Sequence, residues 1–71
     1  MQPDMIEITV NGEARQVRGG ESVAKLLEAL DIASDRVAVE LNRSIVRKRD
    51  WSETIVPVDA KIEIVEFVGG G

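Results

Sequence analysis

Ile6-Glu7-Ile8-Thr9-Val10-Asn11-Gly12 is the stretch on which the reading of this chain turns. Ile6 to Val10 alternates apolar and polar side chains. A period of two places Ile6, Ile8 and Val10 on one face of a half-buried strand. Asn11-Gly12 follows at once and supplies two residues that tolerate positive φ, the strongest short-range signal for a tight hairpin. Ala14 to Arg18 returns as a second strand with Val17 as its clear core residue, which places it near a sheet edge. Gly19-Gly20 ends the hairpin. No phosphate-loop Lys-Ser or Lys-Thr follows those glycines, so their job is the turn into the next element.

Ser22 is suited to cap a helix running to Leu30. Val23, Ala24, Leu26, Leu27 and Leu30 recur at helical spacing and form one apolar stripe. Lys25 stands where a capping box would place Glu or Gln, so the helix start has half of its usual support. Asp31 to Arg36 reads as a connection with Ile32 tucked beneath it. Val37-Ala38-Val39-Glu40-Leu41 alternates again and forms a third strand. Asn42-Arg43 is a turn, and Ser44-Ile45-Val46 is a short return segment. Pro57 interrupts Ile55-Val56-Pro57-Val58 and makes that stretch a loop. Lys61-Ile62-Glu63-Ile64-Val65 is the last strand.

A hairpin, one helix and further strands define an α+β layout, a mixed sheet of about four strands with the helix packed across one face. The first and last strands can then pair in parallel through a right-handed crossover that contains the helix. The inward set is Ile6, Ile8, Val10, Val17, Leu26, Leu27, Leu30, Val37, Val39, Leu41, Ile62 and Ile64, with Trp51 closing the core. The chain has 71 residues and reads as a single domain over 1–71. Residues 1–4 are an N-terminal extension and residues 69–71 a flexible tail.

Composition narrows the chemistry. Cysteine and histidine are both absent, which removes the thiolate nucleophile, the commonest metal ligand and the usual general base. No pair of carboxylates has metal-site spacing, so no metal site and no catalytic residue is expected. The net charge of −4 suits basic protein surfaces better than nucleic acid. The one basic cluster, Arg43, Arg47, Lys48 and Arg49, reads as a solvated loop in this acidic chain. No apolar run approaches the roughly 20 residues of a membrane span. The first residues lack a signal-peptide pattern, and a cytoplasmic location is expected.

Function is therefore sought at the end of the chain, Phe67-Val68-Gly69-Gly70-Gly71. Parity on the last strand sends Ile62 and Ile64 inward and Lys61, Glu63, Val65 and Phe67 to the opposite face. Val65 and Phe67, beside Val68, would form an apolar patch suited to docking a partner. A kink near Glu66 would instead fold Phe67 over the end of the core, and both arrangements are open at this point. Glu63 and Glu66 flank the tail as solvated surface residues. Five residues from Phe67 can extend roughly 17 Å. Glycines without side chains can thread a narrow channel and deliver the terminal carboxylate to another protein's active site. A free carboxylate is a poor electrophile, whereas an acyl-adenylate carries a good leaving group. By itself the glycine run also fits a linker; its position after this fold pattern favours a reactive end.

The pattern is that of the ubiquitin-like β-grasp carriers, and the sequence resembles the ThiS family of sulfur carriers in bacterial thiamine (thiazole) biosynthesis. The resemblance covers most of the chain from Met5. It rests on Ile8-Thr9-Val10-Asn11-Gly12-Glu13, Val23-Ala24-Lys25-Leu26-Leu27 and Val37-Ala38-Val39-Glu40-Leu41-Asn42. Val46, Trp51 and Ile62-Glu63-Ile64-Val65-Glu66-Phe67-Val68-Gly69-Gly70-Gly71 complete it. The chain departs at Val58-Asp59-Ala60-Lys61, where an Asp-Gly turn is expected, and the local turn is left open. The resemblance implies a carrier that is not itself an enzyme and binds no cofactor. A ThiF-type enzyme would use ATP to adenylate the carboxylate of Gly71. A sulfur donor linked to a cysteine desulfurase would convert it to a thiocarboxylate, and thiazole synthase (ThiG) would take the sulfur. Gly69 and Gly70 would enter the partners' active sites. Alternatives are a molybdopterin synthase small subunit, a ubiquitin-like protein modifier and a plain β-grasp binding module.

Overall fold

The computed structural model describes residues 5–67; the expectations for residues 1–4 and 68–71 lie outside that range. In chain order the elements are β1 (Met5–Val10), β2 (Glu13–Arg18), α1 (Val23–Ala29), β3 (Val37–Leu41), β4 (Ser44–Val46) and β5 (Lys61–Glu66). The strands form one sheet in the order β2-β1-β5-β3-β4. β1 and β5 run parallel, and the other neighbours are antiparallel.

The hairpin turns where the sequence places it. Asn11 and Gly12 take φ values of 50° and 85°, and Val10 pairs with Glu13 across them. Two consecutive positive φ values match the right-handed twist of the flanking strands. The sheet has five strands, one more than the periodicity predicts. The extra strand is Ser44–Val46, expected only as a return segment. Its three residues are too few to display an alternation, and Ile45, at its centre, is 71% exposed.

Ile8, Val10, Val39 and Ile62 of the sheet meet Val23, Leu26 and Leu27 of α1 in the core. Ile6, Val17, Leu30, Leu41 and Ile64 border it half-buried, as does Ile32. Trp51 closes the core as expected, and its indole N–H donates to the Val46 carbonyl at 2.9 Å. Val56 and Ala60 are also buried, although neither belongs to a periodic segment. They are carried inward by a loop that docks on the helix start.

That loop explains how α1 begins without a capping box. The Ser22 hydroxyl accepts from the Lys25 N–H at 3.2 Å. The Val23 N–H donates to the Thr54 carbonyl and the Ala24 N–H to the Trp51 carbonyl. The first turn's orphan donors are thus satisfied by one side chain and a distant piece of backbone. At the other end Asp31 takes φ 60°. Its N–H donates to Glu28, and the Ile32 N–H to Leu27. This is a Schellman cap, with Asp in the place glycine usually holds.

The Val58-Asp59-Ala60-Lys61 turn forms without glycine. The left-handed position falls on Asp59, with φ 63°, a residue that tolerates it. The Ala60 N–H donates to the Pro57 carbonyl at 3.3 Å. Ala60 itself is fully buried, so its methyl group fills core space that glycine would leave empty.

Candidate functional site

β5 is the strand that precedes the tail in sequence, and its pairing on both sides is what the structure shows of the site. On one side β5 pairs with β3 from Leu41↔Ile62 to Val37↔Glu66. The Phe67 N–H extends this ladder by donating to the Arg36 carbonyl at 2.7 Å. The strand therefore does not kink at Glu66, and Phe67 does not fold over the core. Val65 and Phe67 are 58% and 54% exposed, on the sheet face opposite α1. Of the two arrangements open in the sequence, the structure has the exposed patch.

On the other side β5 pairs with β1 over just Thr9↔Lys61 and Val10↔Ile62. β1 then turns away at Asn11. The Asn11 N–H donates to the Ile62 carbonyl at 2.9 Å. Its side-chain Oδ1 accepts from the Ile64 N–H at 2.7 Å, and Nδ2 donates to the Ile64 carbonyl at 3.2 Å. At the start of β5, Asn42 has a related place beside β3. Its N–H donates to the Lys61 carbonyl at 2.8 Å, and its Oδ1 accepts from the Lys61 N–H at 2.9 Å. The sequence marks both asparagines as turn residues. It carries no signal that their carboxamides grip the strand between them.

Val65 and Phe67 line a shallow groove on the open face together with Ala38, Val39, Glu40, Arg43, Ile45, Lys61 and Glu63. Ala38 pairs with Val65 and extends the patch across the strands. Ile45, missed as a surface residue in the sequence, lies one strand further out. Glu40 and Glu63 sit directly opposite one another, a like-charge pair that costs stability unless a cation joins it. The ion pairs among the described residues, Arg15–Glu13 and Lys25–Glu28, lie elsewhere. The groove thus combines exposed apolar side chains with charges of both signs, Glu40 and Glu63 beside Arg43 and Lys61, an apolar patch with a charged rim of the kind that protein interfaces use.

Among the described residues no group of His, Cys, Asp or Glu is placed to hold a metal ion. No helix among them is long and apolar enough to cross a membrane. Val68, Gly69, Gly70 and Gly71, the other predicted site residues, lie outside the described range.

Five strands gripping one helix, with a last strand paired through Phe67 and followed in sequence by three glycines, define a β-grasp domain of the carrier type. The chain belongs to the ThiS family, whose model matches residues 8–71, the glycines included. A crystal structure of the thiamine biosynthesis protein ThiS from Geobacter metallireducens superposes with a TM-score of 0.78 at 36% identity, covering 93% of this chain and 100% of that one. The sulfur carrier protein ThiS of Escherichia coli is 32% identical over 66 residues, 93% of this chain and all of that protein. A thiazole synthase of Magnetococcus marinus is 35% identical over 66 residues. This chain spans 20% of that protein's length, and likewise 20% of a thiazole synthase of Paramagnetospirillum magneticum at 39% identity.

Proposed function

We propose that this chain is a sulfur carrier of thiamine biosynthesis, with the carboxylate of Gly71 as its reactive group. A ThiF-type enzyme uses ATP to convert that carboxylate to an acyl-adenylate with loss of pyrophosphate. The persulfide of a sulfur donor charged by a cysteine desulfurase attacks the adenylate and displaces AMP, and a second thiol then cleaves the resulting acyl disulfide, forming a disulfide with the donor and releasing the thiocarboxylate. Thiazole synthase (ThiG) draws the sulfur from it. The chain is a co-substrate in each step, supplies no catalytic residue and binds no cofactor of its own. Gly69 and Gly70 let the end enter each active site, and the absence of Cβ at Gly71 leaves its carbonyl open to attack. Val65 and Phe67 dock the partners on the open sheet face, and Val68, next in sequence, takes part in the same docking. Because the cycle consumes ATP, we place it in the cytoplasm.

The observation that carries this reading is a firmly held β5, paired through Phe67, joined to a family match that continues through Gly71. The two thiazole synthases lend support to the last partner. In each, a segment like this chain and the named synthase share one polypeptide, as fits a carrier that works beside that enzyme. The test is intact mass after incubation with a cognate activating enzyme, a sulfur source, and ATP present or omitted. One oxygen replaced by sulfur at Gly71, dependent on ATP, is expected. An unchanged mass with a demonstrably active partner would overturn the reading.

A further inference from the structure

Asn11 does more than turn the hairpin. β1 ends beside Ile62, yet β5 continues to Glu66. Were β1 to continue, its next carbonyl would accept from the Ile64 N–H and a following N–H would donate to the Ile64 carbonyl. The Asn11 carboxamide supplies both, at 2.7 Å and 3.2 Å. Its orientation follows from chemistry, since the Ile64 N–H can only donate and its carbonyl can only accept. At φ 50° the Asn11 backbone has already left the strand direction, so the side chain makes these bonds while the main chain turns away.

Resting on the carrier reading above, we infer that Asn11 is a positioning residue for the reactive end. Its carboxamide stands in for the missing peptide of β1, so that with β3 on the other side both edges of β5 are held as far as Ile64. The base of the end, as far as Phe67 with its bond to the Arg36 carbonyl, is thus ordered before a partner is met. A partner that must receive an extended end is spared the cost of ordering the base of that end. Once the end is seated, the partner's own channel holds it. The effect therefore falls on capture of the carrier and not on the chemical step.

Asn42 provides the control, since it grips the same strand at the end remote from Phe67. Asn11→Gly and Asn42→Gly both keep the left-handed backbone available and remove the side-chain bonds. Two readouts apply to the full chain: amide hydrogen exchange, and steady-state pyrophosphate release by the cognate activating enzyme with ATP and a saturating sulfur source that turns the adenylate over. In Asn11→Gly, exchange at Ile64 should quicken about fivefold or more, while Val65, bonded toward β3, is unchanged. The KM for the carrier should rise about threefold to tenfold with kcat preserved. In Asn42→Gly, exchange should quicken at Lys61 and the KM should stay at the wild-type value. An Asn11→Gly chain with unchanged Ile64 exchange, or with an unchanged KM, overturns the inference. So does an equal rise of KM in Asn42→Gly, which would make the effect one of general stability. If the wild-type chain itself is not adenylated, the carrier reading fails and takes the positioning role with it. Exchange at Ile64 then still decides whether the grip exists.

Discussion

The face of the sheet beneath α1 and the face turned away from it share the strand β5 and treat its side chains in opposite ways. Ile62 is 1% exposed on the first, while Val65 is 58% exposed on the second. Both are β-branched residues three positions apart on a regular strand, so propensity does not separate them. What separates them is the layer placed over each: α1 and the Trp51–Ala60 loop on one side, solvent on the other. Burying such a side chain contributes about 1.5–3 kcal/mol. On the covered face folding collects that energy. On the open face most of it is still uncollected and is available to a partner. The two faces thus divide stability from recognition, and substitutions on each should report one and spare the other.

The largest effect is expected on the covered face. Leu27 is 1% exposed at the centre of the core, and Leu27→Ala should cost about 2–5 kcal/mol. A domain of this size has roughly 4–10 kcal/mol in total, so the variant should lie near the limit of folding. Ile62→Val, at about 0.5–1.5 kcal/mol, gives a measurable second point by urea denaturation. A Leu27→Ala cost below that of Ile62→Val would show that α1 is not what holds the sheet.

On the open face the order of effects reverses. Val65→Ser with Phe67→Ser should leave stability within about 0.5 kcal/mol, as exposed positions do. The same pair should raise the KM for adenylation at least about tenfold, because truncating an apolar anchor at an interface costs more than about 1 kcal/mol. Thermal denaturation beside the adenylation assay separates the two. A loss of stability comparable to Leu27→Ala would mean that Phe67 serves the core and would erase the contrast between the faces.

The contrast was largely legible in the sequence because periodicity encodes it. The parity of Ile62 and Ile64 against Val65 reads directly, as do the α1 stripe, the Asn11-Gly12 hairpin and the burial of Trp51, whereas the place of Phe67 stays open between the patch and a kink at Glu66 until its bond to Arg36 is seen. What failed to show was set by contacts between distant segments. The first donors of α1 find the carbonyls of Trp51 and Thr54, which no local rule connects to Ser22. Val56 and Ala60 are buried from an aperiodic loop. β4 spans three residues and needed β3 beside it to become a strand. At the site, Asn11 and Asn42 were visible as turn formers, but their grip on β5 depends on sheet order. Asn11 is 53 residues from the carbonyl it holds. Gly69, Gly70 and Gly71 stand out by composition, and the carrier role assigned to them draws on the family resemblance.

The smallest expected effect concerns the second turn. Asn11-Gly12 and Asn42-Arg43 adopt the same sign of φ at both positions, with 85° at Gly12 and 73° at Arg43. Only the first has the residue that takes this conformation without strain. A left-handed side-chain residue costs about 1–2 kcal/mol, and glycine returns about 0.5–1 kcal/mol of that as entropy lost on folding. Arg43→Gly should therefore raise stability by up to about 1 kcal/mol, read as a higher Tm. Arg43 also lines the groove, at the end away from Phe67. Held there it acts as a rim charge, and its loss should change the salt dependence of the KM more than it changes the KM itself. A fall in Tm would show that the Arg43 side chain stabilises the turn it strains. A rise in Tm with altered salt dependence would extend the division between the faces to a single residue, strained in the fold and kept for its charge on the open side.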